Sequence, residues 1–270
     1  MTRRLALRLK HEILGTPLEP AAIFMANRLL PLLRDGARAT PSQLAFESLY
    51  VDRVIARILK PDTTCIDVGA HIGRFLSLCI RLAPKAAHVA VEPTPWKADW
   101  LKRKFRTAAI VNAALADAPG RLPFVEDLEA PAFSRLDLVA NGKYSDNGSP
   151  ALTRYDVAIE TLDRIAAGAG KIGFIKIDVE GAEHLVIKGG EQTIARDRPA
   201  IVFEAGAVKS RHAKNGTAEL AFSLLTEKLG YKVQTPLQFL LSKNALTMDH
   251  FVGARSYPFT ALNFVATPAD

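Results

Sequence analysis

Short apolar runs alternate with longer amphipathic stretches from about residue 60 onward. The runs "TCIDVG", "HVAVEP", "AAIVNAAL", "GFIKIDVEG" and "AIVFEAG" predict buried strands, as do "YKVQT" and "LNFVATP". The stretches between them predict helices, among them "GRFLSLCIRLA", "PWKADWLKRKF", "EHLVIKGGEQTIARD" and "TAELAFSLLTEKLG". Strands that alternate with helices of about 10–15 residues predict a mostly parallel sheet with helices on both faces.

The first part of the chain has helical periodicity. Residues 1–50 are predicted to form an N-terminal helical extension, and residues 51–270 the main domain. Four apolar residues fall on one face of the first helix: Leu5, Leu9, Ile13 and Leu14. The favoured interpretation is a helix that packs on the main domain, and the alternative is association with an anionic membrane surface. Because Arg8 and Lys10 interrupt the apolar run, we do not expect a signal peptide.

Composition and charge are those of an ordinary globular protein. The chain has 49% hydrophobic and 23% charged residues and a formal net charge of +7, which slightly favours acidic partners and also serves solubility. Cys65 and Cys79 lie in apolar runs without metal-ligand spacing, so they are predicted to be buried thiols in a reducing compartment. No run approaches the roughly 20 apolar residues that cross a bilayer. The sequence therefore predicts a cytoplasmic protein without stable membrane insertion.

Candidate ligand-binding residues follow the first two predicted strands. In "DVGAHIG", Gly69 and Gly73 suit a turn that a ligand approaches closely, and Asp67 stands where a dinucleotide fingerprint has its first glycine. A carboxylate there favours a positively charged ligand such as S-adenosylmethionine, which carries a sulfonium and an ammonium group. Glu92 ends the next strand, where a carboxylate can accept both hydroxyls of a ribose; the alternative is a solvated acid. Asn112, on the third strand, either contacts an adenine edge or caps a turn.

These segments resemble the FkbM family of class I S-adenosylmethionine-dependent methyltransferases. The resemblance covers roughly residues 60–206 and rests on "DVGAHIG", "VEP", "NAAL", "SRL", "VAIETLD", "FIKIDVEGAEHLVIKGG" and "PAIVFE", in that order. It implies a Rossmann-like, doubly wound α/β fold with a mostly parallel seven-stranded sheet. It also implies cofactor contacts from Asp67, Gly69, Ala70, His71 and Gly73 at the methionine end, Glu92 and Pro93 at the ribose, and Asn112 and Ala113 near the adenine. His71 departs from the family, which usually has asparagine there.

Four ionisable residues are candidate general bases: Asp178, Glu180, His184 and Glu204. Asp178 and Glu204 end adjacent predicted strands, which lie about 4.8 Å apart, so their carboxyl groups are expected to share one site. Clustered acids raise one another's pKa values and can give a base near neutrality. Each candidate has an alternative role. Asp178 can instead bind the cofactor's ammonium group, Glu180 can cap the next helix, and His184 can simply pack.

Three nearby residues are expected to have structural roles. Glu183 is expected to stabilise the start of the helix that it begins, through the helix dipole. Asp163, in "ETLD", is expected to cap the helix that follows it. Lys176 lies inside the strand and is expected to pair with one of the acids. None of the three is therefore included among the candidate catalytic residues.

The resemblance implies methyl transfer from S-adenosylmethionine to a hydroxyl group of a sugar or of a glycosylated or polyketide metabolite. The transfer is an in-line displacement that a general base assists. Two other functions stay open: a nicotinamide oxidoreductase, which Asp67 argues against, and a non-catalytic binding module of the same fold. The sequence has no basic run or aromatic motif for nucleic acid, so nucleic acid is not expected. Asp178, Glu180 and Glu204 could together bind a divalent cation, but the sequence has no separate metal motif, so no metal is expected. A homo-oligomer is compatible with the sequence.

Overall fold

A computed structural model describes residues 46–128, 134–137, 152–208 and 216–269, together with Thr16. The helices are α1 (Glu47–Ile58), α2 (Arg74–Leu82), α3 (Pro95–Lys104), α4 (Leu162–Ala166), α5 (Glu183–Lys188), α6 (Glu191–Asp197), α7 (Thr217–Ser223), α8 (Pro236–Leu240) and α9 (Met248–Ala254). The strands are β1 (Thr64–Val68), β2 (His88–Val91), β3 (Ala108–Val111), β4 (Ala114–Leu115), β5 (Gly120–Asp127), β6 (Arg135–Leu136), β7 (Leu152–Glu160), β8 (Ile172–Ile177), β9 (Ala200–Glu204), β10 (Tyr231–Gln234) and β11 (Asn263–Pro268). The helices predicted before residue 46, including the amphipathic one, lie outside the described residues.

A seven-stranded sheet in the order β10–β11–β9–β8–β1–β2–β3 forms the centre of the domain. The strands from β9 to β3 are parallel, whereas β11 runs antiparallel to both of its neighbours. The direction of winding reverses between β1 and β8, and open α/β sheets bind ligands beyond the strand ends at such a point. The predicted fold class, a doubly wound and mostly parallel seven-stranded sheet, is confirmed.

Apolar side chains cover both faces of this sheet. On one face, α1 and α2 pack against β1, β8 and β9, and both cysteines, Cys65 and Cys79, are free and buried in this layer. On the other face, α4, α5, α6, α7 and α9 form the larger part of the core. Burial on two sides explains why the parallel strands read as nearly continuous apolar runs.

Glu47 ties α1 to β11, which lies far along the chain. Its Oε1 accepts hydrogen bonds from the backbone N–H groups of Leu262 and Asn263 at 2.6 and 2.8 Å. Its Oε2 accepts one from the side-chain amide of Asn263 at 3.1 Å. The carboxylate thus satisfies backbone donors at the start of β11 and fixes α1 against the sheet. Helix α1 spans the domain boundary placed at residue 50, and that boundary stays a prediction.

A second, four-stranded sheet was not predicted. Its order is β4–β7–β5–β6, with β5 and β7 paired antiparallel along their whole length. The run "AAIVNAAL", interpreted as one strand, is divided between the two sheets, because β3 joins the central sheet and β4 the small one. The side chain of Asn112 lies at this crossing point and donates to two carbonyl groups of the turn after β2. The chain therefore changes sheets where the pattern suggested a continuous strand.

The helix predicted over "EHLVIKGGEQTIARD" is two helices, α5 and α6, with Gly189 and Gly190 between them. A Cβ atom on Gly189 would lie 2.1 Å from the carbonyl oxygen of Ala116, and one on Gly190 would lie 2.3 Å from the side chain of Leu162. Both contacts come from distant parts of the chain. Close packing against β4 and α4 thus requires glycine here and accounts for the break.

The residue that caps α4 is Thr161, whose hydroxyl accepts a hydrogen bond from the backbone N–H of Arg164. The expectation that Asp163 caps this helix is wrong. Its carboxylate instead accepts hydrogen bonds from the backbone N–H groups of Gln192 and Thr193 at the start of α6. Asp163 therefore joins the two helices. Within the described ranges, no helix is long and apolar enough to cross a membrane.

Candidate cofactor and catalytic site

A cavity of about 550 Å³ opens at the carboxyl ends of β1, β2, β8 and β9, where the winding reverses. Most of the sequence-predicted cofactor residues line it: Asp67, Gly69, Ala70, His71, Glu92, Pro93, Ala113 and Asp178. Three of the four candidate bases line it as well: Asp178, Glu180 and Glu204. The fold therefore gathers into one space two sets of residues that lie far apart in the sequence.

The turn after β1 depends on its glycines. Gly69 has φ +81°, and a Cβ atom there would lie 1.8 Å from the carbonyl oxygen of Asp178. The backbone N–H groups of Gly69 and Ala70 both donate to the carbonyl of Val91 at 3.0 Å, which holds the turn against β2. Gly73, with φ +84°, lies against the ring of Phe105 and outside the cavity lining. Gly69 thus shapes the turn that borders the cavity, and Gly73 allows the helix after it to pack.

His71 has a left-handed backbone, with φ 51°. Asparagine is among the residues that tolerate this conformation best, and histidine is also enriched there. This explains how histidine can replace the asparagine that the family usually has. The backbone N–H of His71 donates to Oε2 of Glu92 at 2.8 Å. The left-handed backbone of His71 thus accompanies a direct contact between the turn and the acid after β2.

Glu92 is buried and held from two sides. Its Oε2 accepts from His71, and its Oε1 accepts from the backbone N–H of Thr94 at 2.9 Å. Burial raises the pKa of Glu92, while the charge of buried Lys97 and the hydrogen bonds lower it. Each carboxylate oxygen has further acceptor capacity. The carboxylate is thus held in one orientation beside the cavity, and its role at a ribose stays a prediction.

Asn112 braces this part of the site from behind. Its side-chain amide donates to the carbonyls of Glu92 and Pro93, both at 2.9 Å. It does not line the cavity, whereas the adjacent Ala113 does. Of the two roles left open by the sequence, the structure supports the structural one, because the amide supports the turn that presents Glu92.

Asp67 is a deeply buried acid beside Lys176 of the neighbouring strand. It is 1% exposed, and neither carboxylate oxygen forms a hydrogen bond with another described residue. Burial raises the pKa of Asp67 to about 7. The positive charge of Lys176 and the backbone N–H of Leu76 act to lower this pKa, but their effect is smaller than that of burial. An unpaired buried carboxylate is costly unless a cation or donor is supplied. The site therefore fits the ammonium group of S-adenosylmethionine, the cofactor that the sequence predicted.

Asp178 and Glu204 end neighbouring strands and interact directly, as the sequence predicted. Lys176 forms an ion pair with Asp178, with 2.7 Å between Nζ and Oδ2. Burial alone would raise the pKa of Asp178, but the charge of Lys176 and hydrogen bonds with Glu204 and Lys176 lower it below its usual value. Burial and the charge of Asp178 raise the pKa of Glu204 well above its usual value. The two acids are therefore shifted in opposite directions, with the charged form favoured at Asp178 and the protonated form favoured at Glu204.

Glu180 lies in the turn between β8 and α5, with a left-handed φ of 55°. Burial, followed by the charges of Asp178 and Glu183, raises the pKa of Glu180 to about 8, although Arg135 partly opposes this. A strained backbone in a cavity is typical of functional positions. Glu180 does not cap α5, whose N-cap residue, Ala182, receives no side-chain hydrogen bond. Its carboxyl group faces the cavity instead.

The two remaining residues of this turn have local roles. Glu183 is buried, and its Oε1 accepts hydrogen bonds from the backbone N–H groups of Gly181 and Val179 at 3.0 and 3.4 Å. It thereby stabilises the start of α5. His184 does not line the cavity. Its charge acts on Asp117, whose pKa is lowered chiefly by a hydrogen bond from Lys188. The structure therefore separates His184 from the other three candidate bases.

Several cavity residues escaped the sequence analysis: Ser48 and Val51 of α1, Arg74, Lys97, Phe124, Ser134, Leu136 and Asn263. Lys97 is 2% exposed although it lies in a helix that reads as polar. Phe124, Ser134 and Leu136 come from the small sheet or its border, which the sequence did not predict. The spacing of apolar residues in a helix indicates which face of the helix is buried. It does not indicate that a lysine of that helix reaches into a cavity.

Within the described part of the chain, Asp178, Glu180 and Glu204 form a cluster in which one oxygen of each lies within 4.8 Å of the others. Carboxylate oxygens are the ligands that hard cations prefer. The ammonium group of Lys176 already contacts this cluster through Asp178. The geometry therefore requires no metal ion, and the sequence-based expectation that none is bound stays a prediction.

Comparisons with known proteins identify the family of this chain. The FkbM methyltransferase domain matches residues 67–233. The 2-O-methyltransferase NoeI of Sinorhizobium fredii is 30% identical over 196 residues, which cover 68% of this chain and 79% of NoeI. The AMB antimetabolite synthetase AmbE of Pseudomonas aeruginosa is 24% identical over 245 residues, which cover 76% of this chain and 11% of AmbE.

A solved FkbM methyltransferase structure from Methylobacillus flagellatus has a TM-score of 0.48 and 14% identity, covering 77% of this chain and 44% of that chain. The matched domain contains the turn after β1, the acid after β2 and the cluster after β8. Because this domain spans more than half of the sequence, the chain belongs to the FkbM family of methyltransferases, and S-adenosylmethionine is its cofactor.

Proposed function

We propose that this protein transfers the methyl group of S-adenosylmethionine to a hydroxyl group of a sugar or of a sugar-bearing metabolite. The observation that carries the proposal is the shared cavity, in which Asp67 and Glu92 occupy one part and three clustered carboxyl groups another. Carboxyl groups are strong acceptors for hydroxyl donors. A polyhydroxylated acceptor therefore suits this side of the cavity.

The relatives add weaker support for oxygen as the methylated atom. NoeI is by its name a 2-O-methyltransferase, and it is 30% identical to this chain over most of both sequences. We base the proposed acceptor on the cluster of Asp178, Glu180 and Glu204, and not on the name of NoeI. A sugar presents several hydroxyls close together, and the cluster presents several acceptors close together.

The cofactor supplies an electrophilic methyl group on a sulfonium, so the protein has to orient an acceptor and remove its proton. Asp67 and Glu92 bind and orient the charged and polar ends of the cofactor. Asp178, kept ionised by Lys176, places a negative charge in the same cavity. Fixed orientation of this kind supplies several kcal/mol of the barrier reduction in bimolecular reactions, roughly 7–11 kcal/mol at most.

Glu180 fits the role of general base best. A base works best when its pKa lies near the working pH, and the pKa of Glu180 is raised to about 8. Burial and the charge of Asp178 raise the pKa of Glu204 well above its usual value, which favours a protonated acid that donates a hydrogen bond to Asp178. Asp178 has a lowered pKa and is a weaker base. His184 lies outside the cavity lining, so its proposed catalytic role has no support from the geometry.

An acceptor screen tests the proposal. Purified protein is incubated with S-adenosylmethionine labelled in its methyl group and with free sugars, nucleotide-linked sugars, glycolipids and glycosylated polyketides. We expect label on a hydroxyl oxygen of a sugar, located by mass spectrometry and NMR, with far slower labelling when Glu180→Gln replaces the native protein. Methylation of carbon or nitrogen, or of an acceptor without a sugar, would contradict the proposed acceptor while leaving the methyltransferase assignment intact.

A further inference from the structure

Lys176 projects from the middle of the central sheet into the carboxyl cluster. It lies on β8 directly beside Asp67 of β1, and it lines the cavity. Its Nζ is 2.7 Å from Oδ2 of Asp178, and its side chain is only 15% exposed. Lysine is almost never buried to this extent unless it is paired. Its position inside the site is therefore set by the acids around it.

Acidic groups surround Lys176 on several elements. Burial lowers the pKa of Lys176, but the charges of Asp178, Asp67 and Glu204 outweigh this effect and raise it. The other charged groups that face the cluster are Glu180 and Glu183 from the turn and α5, His71 from the turn after β1, and Arg135 from β6. Acids therefore outnumber bases around the ammonium group of Lys176, which lies 2.7 Å from Asp178.

Apart from this lysine, the cluster has the dimensions of a divalent-cation site. Two oxygens that each lie about 2.4 Å from one ion can be at most about 4.8 Å apart. The carboxyl oxygens of Asp178, Glu180 and Glu204 meet that limit. An ammonium group supplies one positive charge with three directed donors, whereas a divalent ion would supply two charges. Lysine and a metal ion would compete for the same Asp178 oxygen.

We propose that Lys176 takes the place of a divalent cation in this cluster, so that its ammonium group, rather than a metal ion, neutralises and orients Asp178. Lys176 is then a positioning residue that acts through Asp178. The wild-type protein has no requirement for a metal. Removal of the ammonium group converts the cluster into a cation-binding site. The effect on Asp178 during methyl transfer rests on the proposed function, whereas the binding of a cation does not.

The test measures Mn²⁺ binding to the protein without cofactor or acceptor, through loss of the electron paramagnetic resonance signal of free Mn²⁺. Lys176→Met removes the charge and keeps an unbranched side chain of similar length. We expect this variant to bind Mn²⁺ with a Kd at least about tenfold lower than that of the wild type, since three carboxyl groups become available as ligands. Adding Glu204→Gln to the same variant should abolish the gain.

Two further variants separate charge from a general structural effect. Lys176→Arg keeps a cation beside Asp178 and should bind Mn²⁺ no better than the wild type. Lys188→Met is the matched control, because Lys188 also forms a 2.7 Å ion pair, with Asp117, but with side chains 58% and 33% exposed. This variant should likewise show no gain. An equal gain in both lysine-to-methionine variants would overturn the proposal.

The wild-type protein gives a second way to overturn the proposal. If the wild-type protein binds Mn²⁺ at this cluster as tightly as Lys176→Met does, lysine does not stand in for a cation. A Lys176→Met protein that is folded by circular dichroism and gains no Mn²⁺ affinity also overturns the proposal. If this variant does not fold, Mn²⁺ binding to the wild-type protein is measured at low and at high ionic strength. Mn²⁺ binding to the wild type that persists at high ionic strength would overturn the proposal. None of these results depends on finding the acceptor.

Discussion

The backbone N–H of His71 donates a 2.8 Å hydrogen bond to Oε2 of Glu92. This contact joins the turn after β1 to the acid after β2, so the parts of the site that are expected to bind the two ends of the cofactor support each other. It also depends on the left-handed backbone of His71, since an extended backbone would direct the N–H elsewhere. The conformation of one residue therefore links two binding elements.

Replacements of His71 should follow backbone preference rather than side-chain chemistry. His71→Asn keeps a residue that tolerates positive φ and should bind S-adenosylhomocysteine within about twofold of the wild type. His71→Val places a β-branched residue there and should destabilise the protein by about 1–3 kcal/mol, with weaker binding. Calorimetry measures the binding of S-adenosylhomocysteine, and thermal unfolding measures the stability of each variant. If the two variants bind equally well, the backbone does not organise this contact.

Asp67→Asn should weaken binding of S-adenosylhomocysteine at least about tenfold, because the ammonium group loses its charged partner. The same variant should raise the melting temperature of the cofactor-free protein at pH 8, because it removes an unpaired buried charge. The exposed Asp62→Asn serves as a matched control and should change neither quantity. A loss of stability in Asp67→Asn would show that Asp67 has a structural partner.

The stability of the cofactor-free protein should also depend on the protonation of Asp67. Folding raises the pKa of Asp67 from 3.8 to about 7, so the native state binds this proton more tightly than the unfolded state does. The resulting stabilisation is complete below pH 3.8 and is lost as the pH rises through about 7. We expect the difference in unfolding free energy between Asp67→Asn and wild type to grow from about pH 4 to pH 7 and to level off above that, measured with urea.

The rate of methyl transfer should rise with pH through about 8, where Glu180 loses its proton. Glu180→Gln should lower kcat by about 10²–10⁴-fold and remove this rise, with little change in cofactor affinity. Single-turnover rates with saturating cofactor measure the profile. A profile that keeps its inflection in Glu180→Gln would assign the base to another group.

Glu204→Gln tests the neighbouring acid in a different way. Because burial and the charge of Asp178 raise the pKa of Glu204 and favour its protonated form, glutamine preserves its capacity to donate to Asp178. We expect this variant to keep cofactor affinity and most of its turnover, whereas Glu204→Ala keeps affinity but lowers kcat at least about tenfold, since Asp178 loses a donor. Equal losses in both variants would indicate that the carboxylate form of Glu204 takes the acceptor's proton.

Gly189→Ala should destabilise the protein by about 1–3 kcal/mol, because the added methyl group would meet the carbonyl of Ala116. The matched control is Gly253→Ala in α9, where a Cβ atom meets nothing within 4 Å. That change should be neutral or stabilising, since alanine favours a helix more than glycine does. Thermal unfolding compares the two variants directly.

The sequence predicted the central sheet well because its signals are local. Each parallel strand is a short apolar run that ends in a polar residue or glycine, and Asp67, Glu92 and Asp178 were identified as acids at strand ends. The small sheet was missed because β4 and β6 have two residues each and no detectable period. The break between α5 and α6 depends on the close approach of Gly189 to Ala116. Helical periodicity is local and carries no information about a contact between such distant residues.

The position of β11 has a consequence for biosynthesis. This strand inserts between β9 and β10, and Asn263 at its start both lines the cavity and binds Glu47. A nascent chain that has emerged only to residue 262 already contains every candidate catalytic and cofactor residue, yet β9 and β10 still have open edges. Such edges readily pair with other chains. We therefore expect cofactor-binding ability to emerge abruptly when residues 263–268 leave the ribosome, and chains stalled before them to be prone to aggregation.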